Sequence, residues 1–373
     1  MKRVSLAEVA DLKYGYPFPS ATYKNVEFGT RLLRGDNVGT GHIRWDGVMY
    51  WPYTESYDDI YIVRAGDIVL AMDRPVLSSG LKYGIATTDD ASLLVQRVCR
   101  IRATECVDPR YLGAVIGSRD FQMYIGSVTT GSAVPHISGG DIARFTWDLP
   151  PLDQQIAVGE VLGALSDKIA ANRRVQRSID DLLEACFRQV TRSASERVEL
   201  GSLIALNYGK SLPASKRVDG SFPVVGSGGV VGYHDEPLVD GPAVVVGRKG
   251  SVGSTYWISE GCFPIDTTYW VAPKGVSLGY SYRLLQDIDF VAMNTDSAVP
   301  GLNRERAYAL QVPLPNEEQL EEFDRLSEAL TLKHSALEKE IAALARTRDE
   351  LLPMLMNGRI TIKDAEHAVE GVL

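Results

Sequence analysis

The tetrapeptide Ser132-Ala133-Val134-Pro135 recurs 165 residues later as Ser297-Ala298-Val299-Pro300. The beginnings of the two halves also match, at an offset of 194, because Tyr14-Gly15 in one half corresponds to Tyr208-Gly209 in the other. Ordered matches at both ends of each half are typical of an internal repeat. The sequence therefore predicts that its 373 residues contain two copies of one structural unit.

Each copy is predicted to hold a mixed α/β globular part that is followed by a long helix. Short apolar runs beside turn residues predict buried strands at 66–71 and 95–101 in the first copy, and at 243–246 and 268–271 in the second. Strands and helices do not alternate regularly, which argues against a doubly wound parallel sheet. The expected class is α+β, with two pseudo-twofold-related mixed α/β domains separated by a pair of long antiparallel coiled-coil helices.

The helix of each copy carries apolar residues at alternating spacings of four and three positions. This pattern predicts the a/d seam of a coiled coil. Asn172 and Gln176 occupy seam positions that hold Leu337 and Ile341 in the second copy, which suits two unlike helices that pair within one chain. The apolar seam residues singled out are Leu162, Leu165, Ile169, Ile179, Leu183, Leu330, Leu337, Ile341, Leu344 and Leu351.

Pro353 predicts that the second helix ends or kinks near Leu352. A helical run of about 35–40 residues spans roughly 50–60 Å, so a pair of such helices would hold two domains at a fixed distance. The alternative is a helical hairpin that completes the core of one compact domain. The predicted boundaries are 1–149 for the first globular domain, 150–195 for the first helical spacer, 196–312 for the second globular domain, 313–360 for the second spacer and 361–373 for a C-terminal tail.

Composition and charge leave a nucleic-acid partner possible. The net charge is −9, but residues 313–373 alone hold 7 basic and 13 acidic side chains, and the globular regions are close to neutral. The four cysteines form no CxxC pair and have no histidine at metal-binding spacing, which indicates reduced thiols and no metal site. No apolar run is long enough for a bilayer and no secretory signal opens the sequence, so a cytoplasmic location is expected.

The segments around the two helices resemble those of a known family. Residues 148–157 (DLPPLDQQIA) resemble the region that follows a target-recognition domain in the specificity subunits of type I restriction-modification systems, and residues 312–319 (VPLPNEEQ) have the same character. Residues 130–135 (TGSAVP) resemble the stretch before the helix in that family, and residues 351–358 (LLPMLMNG) resemble its closing segment. The likeness covers nearly the whole chain.

This resemblance implies a role in bacterial defence. Each target-recognition domain would read one half of a bipartite target in double-stranded DNA, and the helices would set the gap and dock two methyltransferase subunits, with a restriction subunit joining later. The chain itself would not be an enzyme and would bind no cofactor, because S-adenosylmethionine, ATP and magnesium would serve the partner subunits. Modules on one face of B-DNA read half-sites about one helical turn apart, so a rigid spacer would fix their phase.

Turns that combine basic and small polar residues are the candidates for contact with DNA. Base edges are read by Arg, Lys, Asn or Gln, and phosphates accept hydrogen bonds from hydroxyl, backbone and basic groups. The turn at 248–253 (RKGSVG) follows a predicted strand, the matching turn of the first domain is expected at Asp73-Arg74, and arginines flank the Gly-rich turn at 35–41. The candidates are Arg31, Arg34, Arg44, Arg74, Ser79, Thr130, Ser132, Lys210, Lys216, Arg217, Arg248, Lys249, Ser251, Asn294, Ser297 and Asn303.

Two other classes of function stay open from the residues alone. One is a coiled-coil scaffold with protein-binding domains, which the acidic C-terminal segment would suit. The other is a DNA-modifying enzyme, against which the sequence offers neither an Asn/Asp-Pro-Pro-aromatic motif nor a carboxylate cluster for a two-metal site. The Gly-rich run at 226–232 lacks the Lys-Ser/Thr of a phosphate-binding loop and is interpreted as a turn-rich segment.

Overall fold

The structure, a computed structural model, describes residues 2–25, 28–45, 47–77, 80–87, 90–131, 135–290, 301–356 and 359–371. Its internal contacts divide the chain into two compact units. The first unit comprises residues 1–172 and 340–373, and the second comprises residues 173–339. Each unit therefore contains one globular part together with segments of both long helices.

The globular part of the first unit is built mainly from two four-stranded sheets. Its elements in chain order are β1 (Lys2–Ser5), α1 (Leu6–Val9), β2 (Ala10–Tyr14), β3 (Gly29–Leu33), β4 (Met49–Pro52), β5 (Ile62–Val63), β6 (Ile68–Ala71), β7 (Val76–Leu77), β8 (Gly80–Leu81), β9 (Tyr83–Ile85), β10 (Ser92–Leu94), β11 (Val98–Ala103), α2 (Pro109–Ile116), α3 (Arg119–Val128), α4 (Gly139–Ala143) and β12 (Thr146–Leu149). The first sheet has the antiparallel order β2-β11-β6-β9, and the second has the order β4-β3-β10-β5 with β3 parallel to β10.

Strand β6 is buried on both faces, which explains its continuous apolar sequence. Successive side chains of a strand point to opposite faces. Ile68 and Leu70 belong to the core that includes α2, α3 and α4, whereas Val69 and Ala71 belong to a second cluster that includes residues of β3 and β10. The strand expected at 66–71 is therefore a central strand between two apolar layers.

The strand expected at 95–101 begins only at Val98, so this prediction was wrong for residues 95–97. Strand β10 ends at Leu94 and β11 begins at Val98, with a turn between them. Arg97 in this turn has a φ of 68°. A positive φ at a residue with a Cβ is uncommon and carries no sequence signature, so the apolar run concealed the break.

The second unit has the same kind of sheet on a smaller scale. Its elements are β13 (Glu196–Glu199), α6 (Leu200–Leu203), β14 (Ile204–Tyr208), β15 (Phe222–Gly226), β16 (Gly229–His234), β17 (Ala243–Gly247), β18 (Thr255–Ile258), β19 (Phe263–Pro264), β20 (Thr268–Pro273), α7 (Leu278–Asp287), α8 (Arg304–Tyr308) and β21 (Gln311–Leu314). One sheet has the antiparallel order β14-β20-β17-β18, and the other has the order β16-β15-β19 with β15 parallel to β19. The predicted mixed α/β class is confirmed.

The internal repeat extends to individual hydrogen bonds. The Leu6 amide donates to the Phe145 carbonyl at 2.8 Å, and the Leu200 amide donates to the Leu310 carbonyl at 2.9 Å. In both units the bond joins the short helix after the first strand to the residue just before the last strand. The offsets of 194 and 165 found in the sequence therefore describe equivalent positions in the two folds.

Two long helices, α5 (Leu152–Ser193) and α9 (Glu317–Met356), pair within each unit. In the second unit the Gln176 side chain donates to the His334 carbonyl at 3.3 Å, and the Gln319 side chain donates to the Ser193 hydroxyl at 2.9 Å. Residue numbers rise along one helix as they fall along the other, so the paired segments are antiparallel. In the first unit Lys168 forms an ion pair with Glu340 at 3.3 Å. All ten apolar seam residues are buried or half-buried.

Helix α9 continues through Pro353 to Met356, so of the two outcomes expected at this proline, an end or a kink, the helix does not end near Leu352. Proline removes one helical hydrogen bond, but Leu351 and Leu352 are buried in the core of the first unit and hold the last turn in place. The expected C-terminal tail contains a further helix, α10 (Ile362–Glu370).

Candidate nucleic-acid interface

The first unit contains a pocket of about 650 Å³ where the loop at 35–44 meets the turn that follows β6. Cationic side chains outnumber anionic ones in its lining. The charged lining residues are Asp36, Arg44, Asp73, Arg74, Lys82 and Arg97, and the remaining ones are Gly35, Val38, Gly39, Thr40, His42 and Leu77. A basic concave surface of this kind suits an anionic ligand.

Two lining arginines stand on unusual backbone. Arg74 has a φ of 45° and Arg97 has a φ of 68°, and in the described part of the chain these are the residues other than glycine with positive φ. The Arg74 amide donates to the Pro135 carbonyl at 2.6 Å, and the Met72 amide donates to the Arg97 carbonyl at 2.8 Å. Such conformations cost free energy and persist where surrounding structure fixes them, often at functional sites.

The loop that forms the opposite wall is fixed by a buried amide. The Asn37 side chain accepts from the Arg34 amide at 3.1 Å and donates to the Arg44 carbonyl at 3.2 Å. Gly39 lies against the ring of His42, where an added Cβ would come within 2.5 Å of a ring carbon. A side chain at position 39 would therefore displace the His42 ring from this wall.

The charged side chains of the pocket differ in how many contacts fix them. The Arg97 Nε lies 3.8 Å from a carboxylate oxygen of Asp73, and the Arg44 Nε donates to the Asp36 carbonyl at 2.9 Å. The exposed Arg74 side chain makes no hydrogen bond or ion pair with the described residues. Burial lowers the pKa of the Lys82 ammonium group, although nearby Asp36 opposes this change.

In the second unit, the turn after β17 carries an arginine that packs inward. The Arg248 guanidinium lies 5.2 Å from the Tyr208 ring centroid and 5.8 Å from that of Tyr269, and it donates to the Asp266 carbonyl at 2.6 Å. Arg304 lies over the same Tyr208 ring at 5.3 Å. Burial raises the pKa of Tyr269 to about 12. These contacts make Arg248 a half-buried part of the fold.

The residues next to Arg248 are exposed. Lys249 and Ser251 lie on the turn surface, and Gly250 between them has a φ of 78°. Lys210 is also exposed, two residues beyond Tyr208. Among the described residues near Tyr208 and the turn after β17, Lys210 and Lys249 are exposed cations, whereas Arg248 packs against the Tyr208 ring.

The two turns occupy equivalent positions, displaced by one residue from the expected alignment. The Met72 amide donates to Arg97 at 2.8 Å just as the Arg248 amide donates to Thr267 at 2.9 Å. Each of these two residues also accepts from the segment near the repeated tetrapeptide, Met72 from Ile137 at 3.0 Å and Arg248 from Leu302 at 2.9 Å. The equivalent of Arg248-Lys249 is therefore Met72-Asp73, whereas the sequence suggested Asp73-Arg74.

Other candidates of the first unit lie outside the pocket lining. Arg31 lies over the Trp45 ring at 5.3 Å, and Arg34 donates to the Gly47 carbonyl at 3.2 Å. Thr130 is exposed and pairs with His136, which in turn pairs with Asp73 at the pocket. Of the first unit's described candidates, the structure therefore brings Arg44 and Arg74 together and places Thr130 beside them.

Three candidates of the second unit have different surroundings. Arg217 donates to the Val231 carbonyl at 2.7 Å and is half-buried beside β16, while the adjacent Lys216 is exposed. The Asn303 side chain accepts from the Arg306 amide at 3.1 Å and caps α8. The remaining candidates Ser79, Ser132, Asn294 and Ser297 lie outside the described residues.

Sequence reasoning missed Lys82, Arg97 and Arg304 as members of these surfaces. Lys82 and Arg97 reach the pocket only through the pairing of β6 with β9 and β11, which no local pattern revealed. Arg304 could have been recognised as a candidate from the sequence, because it follows Asn303 shortly after the repeated tetrapeptide.

Within the described residues, no group of three or more His, Cys, Asp or Glu side chains is arranged to hold a metal ion. Among the same residues, no helix is both long enough and apolar enough to cross a bilayer.

Residues 193–345 match the family described as the type I restriction modification DNA specificity domain. Over 181 residues the chain is 32% identical to the type I restriction enzyme MjaVIII specificity subunit of Methanocaldococcus jannaschii, an alignment that covers 48% of this chain and 42% of that protein. It is also 32% identical over 155 residues to the type I restriction enzyme EcoAI specificity subunit of Escherichia coli, covering 40% of this chain and 26% of that protein. The chain thus spans less than half the length of these relatives.

A solved structure supports the same assignment at the level of the fold. The crystal structure of the S subunit of a type I restriction-modification system from M. genitalium superposes with a TM-score of 0.56, at 17% identity, over 95% of both chains. Residues 193–345 therefore belong to the type I restriction modification DNA specificity domain family, and the chain as a whole has the fold of a type I specificity subunit.

Proposed function

We propose that the chain is the DNA-binding specificity subunit of a type I restriction-modification complex. Each unit reads one half of a bipartite target in double-stranded DNA, and the paired helices set the gap between the half-sites. The chain acts without catalysis of its own in the cytoplasm, where two methyltransferase subunits supply methylation with S-adenosylmethionine and a restriction subunit uses ATP and magnesium.

The observation that carries this proposal is that the turn after the equivalent strand carries an exposed basic residue in both units. The turn after β6 contributes Arg74 to the pocket of the first unit, and the turn after β17 contributes Lys249 to the surface of the second. Both turns are fixed by equivalent backbone hydrogen bonds. A basic turn in each of two repeated units suits a ligand with two anionic segments, as a divided DNA site has.

The two long helices connect the two recognition units within one chain. Both α5 and α9 contribute segments to both units, so a change in helix length acts on both recognition surfaces. The first turns of α9 also expose four glutamates, Glu317, Glu318, Glu321 and Glu322. An acidic helix surface of this kind repels DNA and suits the docking of a basic protein surface, which we assign to the methyltransferase subunits.

The test is selective capture of DNA by the full chain co-expressed with its methyltransferase subunits. We expect enrichment of one two-part sequence from a random library, and the double variant Arg44→Ala/Arg74→Ala should lose most of this capture. Arg64→Ala is the matched control, because Arg64 is exposed in the turn before β6, at the opposite end of that strand from the pocket. Capture of partner protein without any enriched DNA sequence would instead favour the scaffold.

A further inference from the structure

We propose that Arg97, oriented by Asp73, reads a guanine in the half-site of the first unit. This inference rests on the proposed function, since it names the base contact that the pocket makes with DNA. Guanine presents two acceptors, N7 and O6, in the major groove, and an arginine guanidinium can donate to both at once. Such a contact is selective only when the guanidinium is held in one orientation.

The structure fixes the backbone that carries Arg97 and places a carboxylate beside its guanidinium, which favours one orientation. The Arg97 backbone is fixed by the Met72 amide, which donates to its carbonyl at 2.8 Å. The Asp73 carboxylate lies 3.8 Å from Nε, the atom nearest the side-chain stem, so both terminal nitrogens remain available. The Arg97 side chain is 59% exposed, so it can reach a ligand in the pocket.

Asp73 is itself held in place. Its backbone pairs with that of His136, and it lies between Met72, which is bonded to Arg97, and Arg74, which is bonded to Pro135. A carboxylate in a cationic pocket weakens attraction to phosphate, so its presence requires another reason. Preorganisation of a neighbouring guanidinium is such a reason, because an oriented side chain loses less entropy on binding.

The backbone conformation points to the same residue. A positive φ at Arg97 costs of order 1 kcal/mol, which glycine at this position would avoid. The conformation places a long cation at the mouth of the pocket, immediately before the buried strand β11. Arg74 shares the unusual φ but has no oriented partner, which suits a contact with phosphate.

The second unit lacks this arrangement. Thr267 occupies the position equivalent to Arg97, and its hydroxyl accepts from the Ser227 amide at 3.4 Å. Lys249 stands where the first unit has Asp73, so neither the guanidinium nor its orienting carboxylate is present. The guanine contact therefore belongs to the half-site of the first unit alone.

The experiment measures base preference at every position of both half-sites, using the full chain with its methyltransferase subunits and a library of single-base changes. For Arg97→Gly we expect the preference for guanine at one position of one half-site to fall by about five-fold to a hundred-fold. Glycine suits the positive φ, so this variant should unfold at the same temperature as the wild type or higher. Arg97→Lys keeps the charge but lacks the planar fork of donors, so the preference for guanine should fall to a smaller extent.

Asp73→Asn separates orientation from charge. It removes a negative charge, so non-selective affinity should rise while the guanine preference falls. Arg74→Ala should weaken binding to all sequences about equally. The inference is overturned if the wild type binds selectively and the base preferences of Arg97→Gly and Arg97→Lys are unchanged at every position. A wild type that binds no sequence selectively would instead refute the proposed function.

Discussion

The Asp67 carboxylate, only 2% exposed, accepts two hydrogen bonds from the Arg102 guanidinium, at 2.6 and 2.7 Å. It also accepts from the Arg64 amide at 2.7 Å. These contacts join the beginning of β6 to the neighbouring strand β11, at the end of the sheet away from the pocket. The pair therefore fixes the register of the two strands that place Asp73 and Arg97 side by side.

Asp67→Ala should destabilise the first unit by about 2–3 kcal/mol, because it leaves a partly buried guanidinium and a backbone amide without their acceptor. The measurement is denaturant unfolding of the full chain. Asp148→Ala is the control, since Asp148 pairs with Arg3 at 3.7 Å with both side chains more than half exposed. That change should cost less than about 0.5 kcal/mol, and equal losses for the two variants would contradict this assignment.

Two glycines in helices should respond to alanine in opposite ways. An added Cβ at Gly159 of α5 would come within 2.6 Å of the Asp108 carboxylate and 2.9 Å of the Tyr111 amide, so α2 would have to move. At Gly126 of α3 an added Cβ would meet no described heavy atom within 4 Å beyond its chain neighbours and the backbone of its own helix. Gly126→Ala should therefore raise the unfolding free energy by about 0.5–1 kcal/mol. Gly159→Ala should lower it, and a stabilised Gly159→Ala protein would show that α2 does not pack there.

Alanine substitutions at the neighbouring residues Arg248 and Lys249 should have different effects, the first on stability and the second on DNA binding. Arg248→Ala should lower the unfolding free energy by about 1–2 kcal/mol, because it removes the contacts with two tyrosine rings and the Asp266 carbonyl. Lys249→Ala should leave stability within about 0.5 kcal/mol of wild type. It should reduce the slope of log affinity against log salt by about 1, as loss of one phosphate contact does. Stability loss in Lys249→Ala without a change in salt dependence would count against the proposed surface.

Lengthening both long helices should widen the gap between the half-sites. Seven residues inserted after Asn172 in α5 and before Glu340 in α9 keep the heptad phase and add about 10 Å to each helix. At 3.4 Å per base pair, the selected gap should grow by about three base pairs. Selection from a library with variable gaps measures this directly. An unchanged gap with normal folding would exclude the helices as the spacer.

The repeat and the two long helices were predictable because they depend on spacing along the chain. Matching tetrapeptides and a 4-3 apolar pattern persist whatever the details of the fold. The strand at 243–246 was predictable for the same reason, since four apolar residues in succession indicate burial on both faces.

The composition of the pocket was not predictable, because it depends on which strands pair. Arg97 lay inside what looked like one continuous strand, and only the positive φ reveals the turn. Helix α10 had a signal that passed unnoticed, as Thr361 and Asp364 form a capping box. Asn303 has a structural role that the sequence did not reveal, because its exposed side chain caps α8.

The most direct test of divided DNA recognition is methylome sequencing of the host with its partner subunits present, before and after deletion of this gene. The account predicts the loss of methylation at one motif that has two specified parts and an unspecified gap. Restoring the gene with Arg97→Gly should return methylation at sites with a relaxed base in one part only. Unchanged methylation after deletion, or loss of an uninterrupted motif, would contradict it.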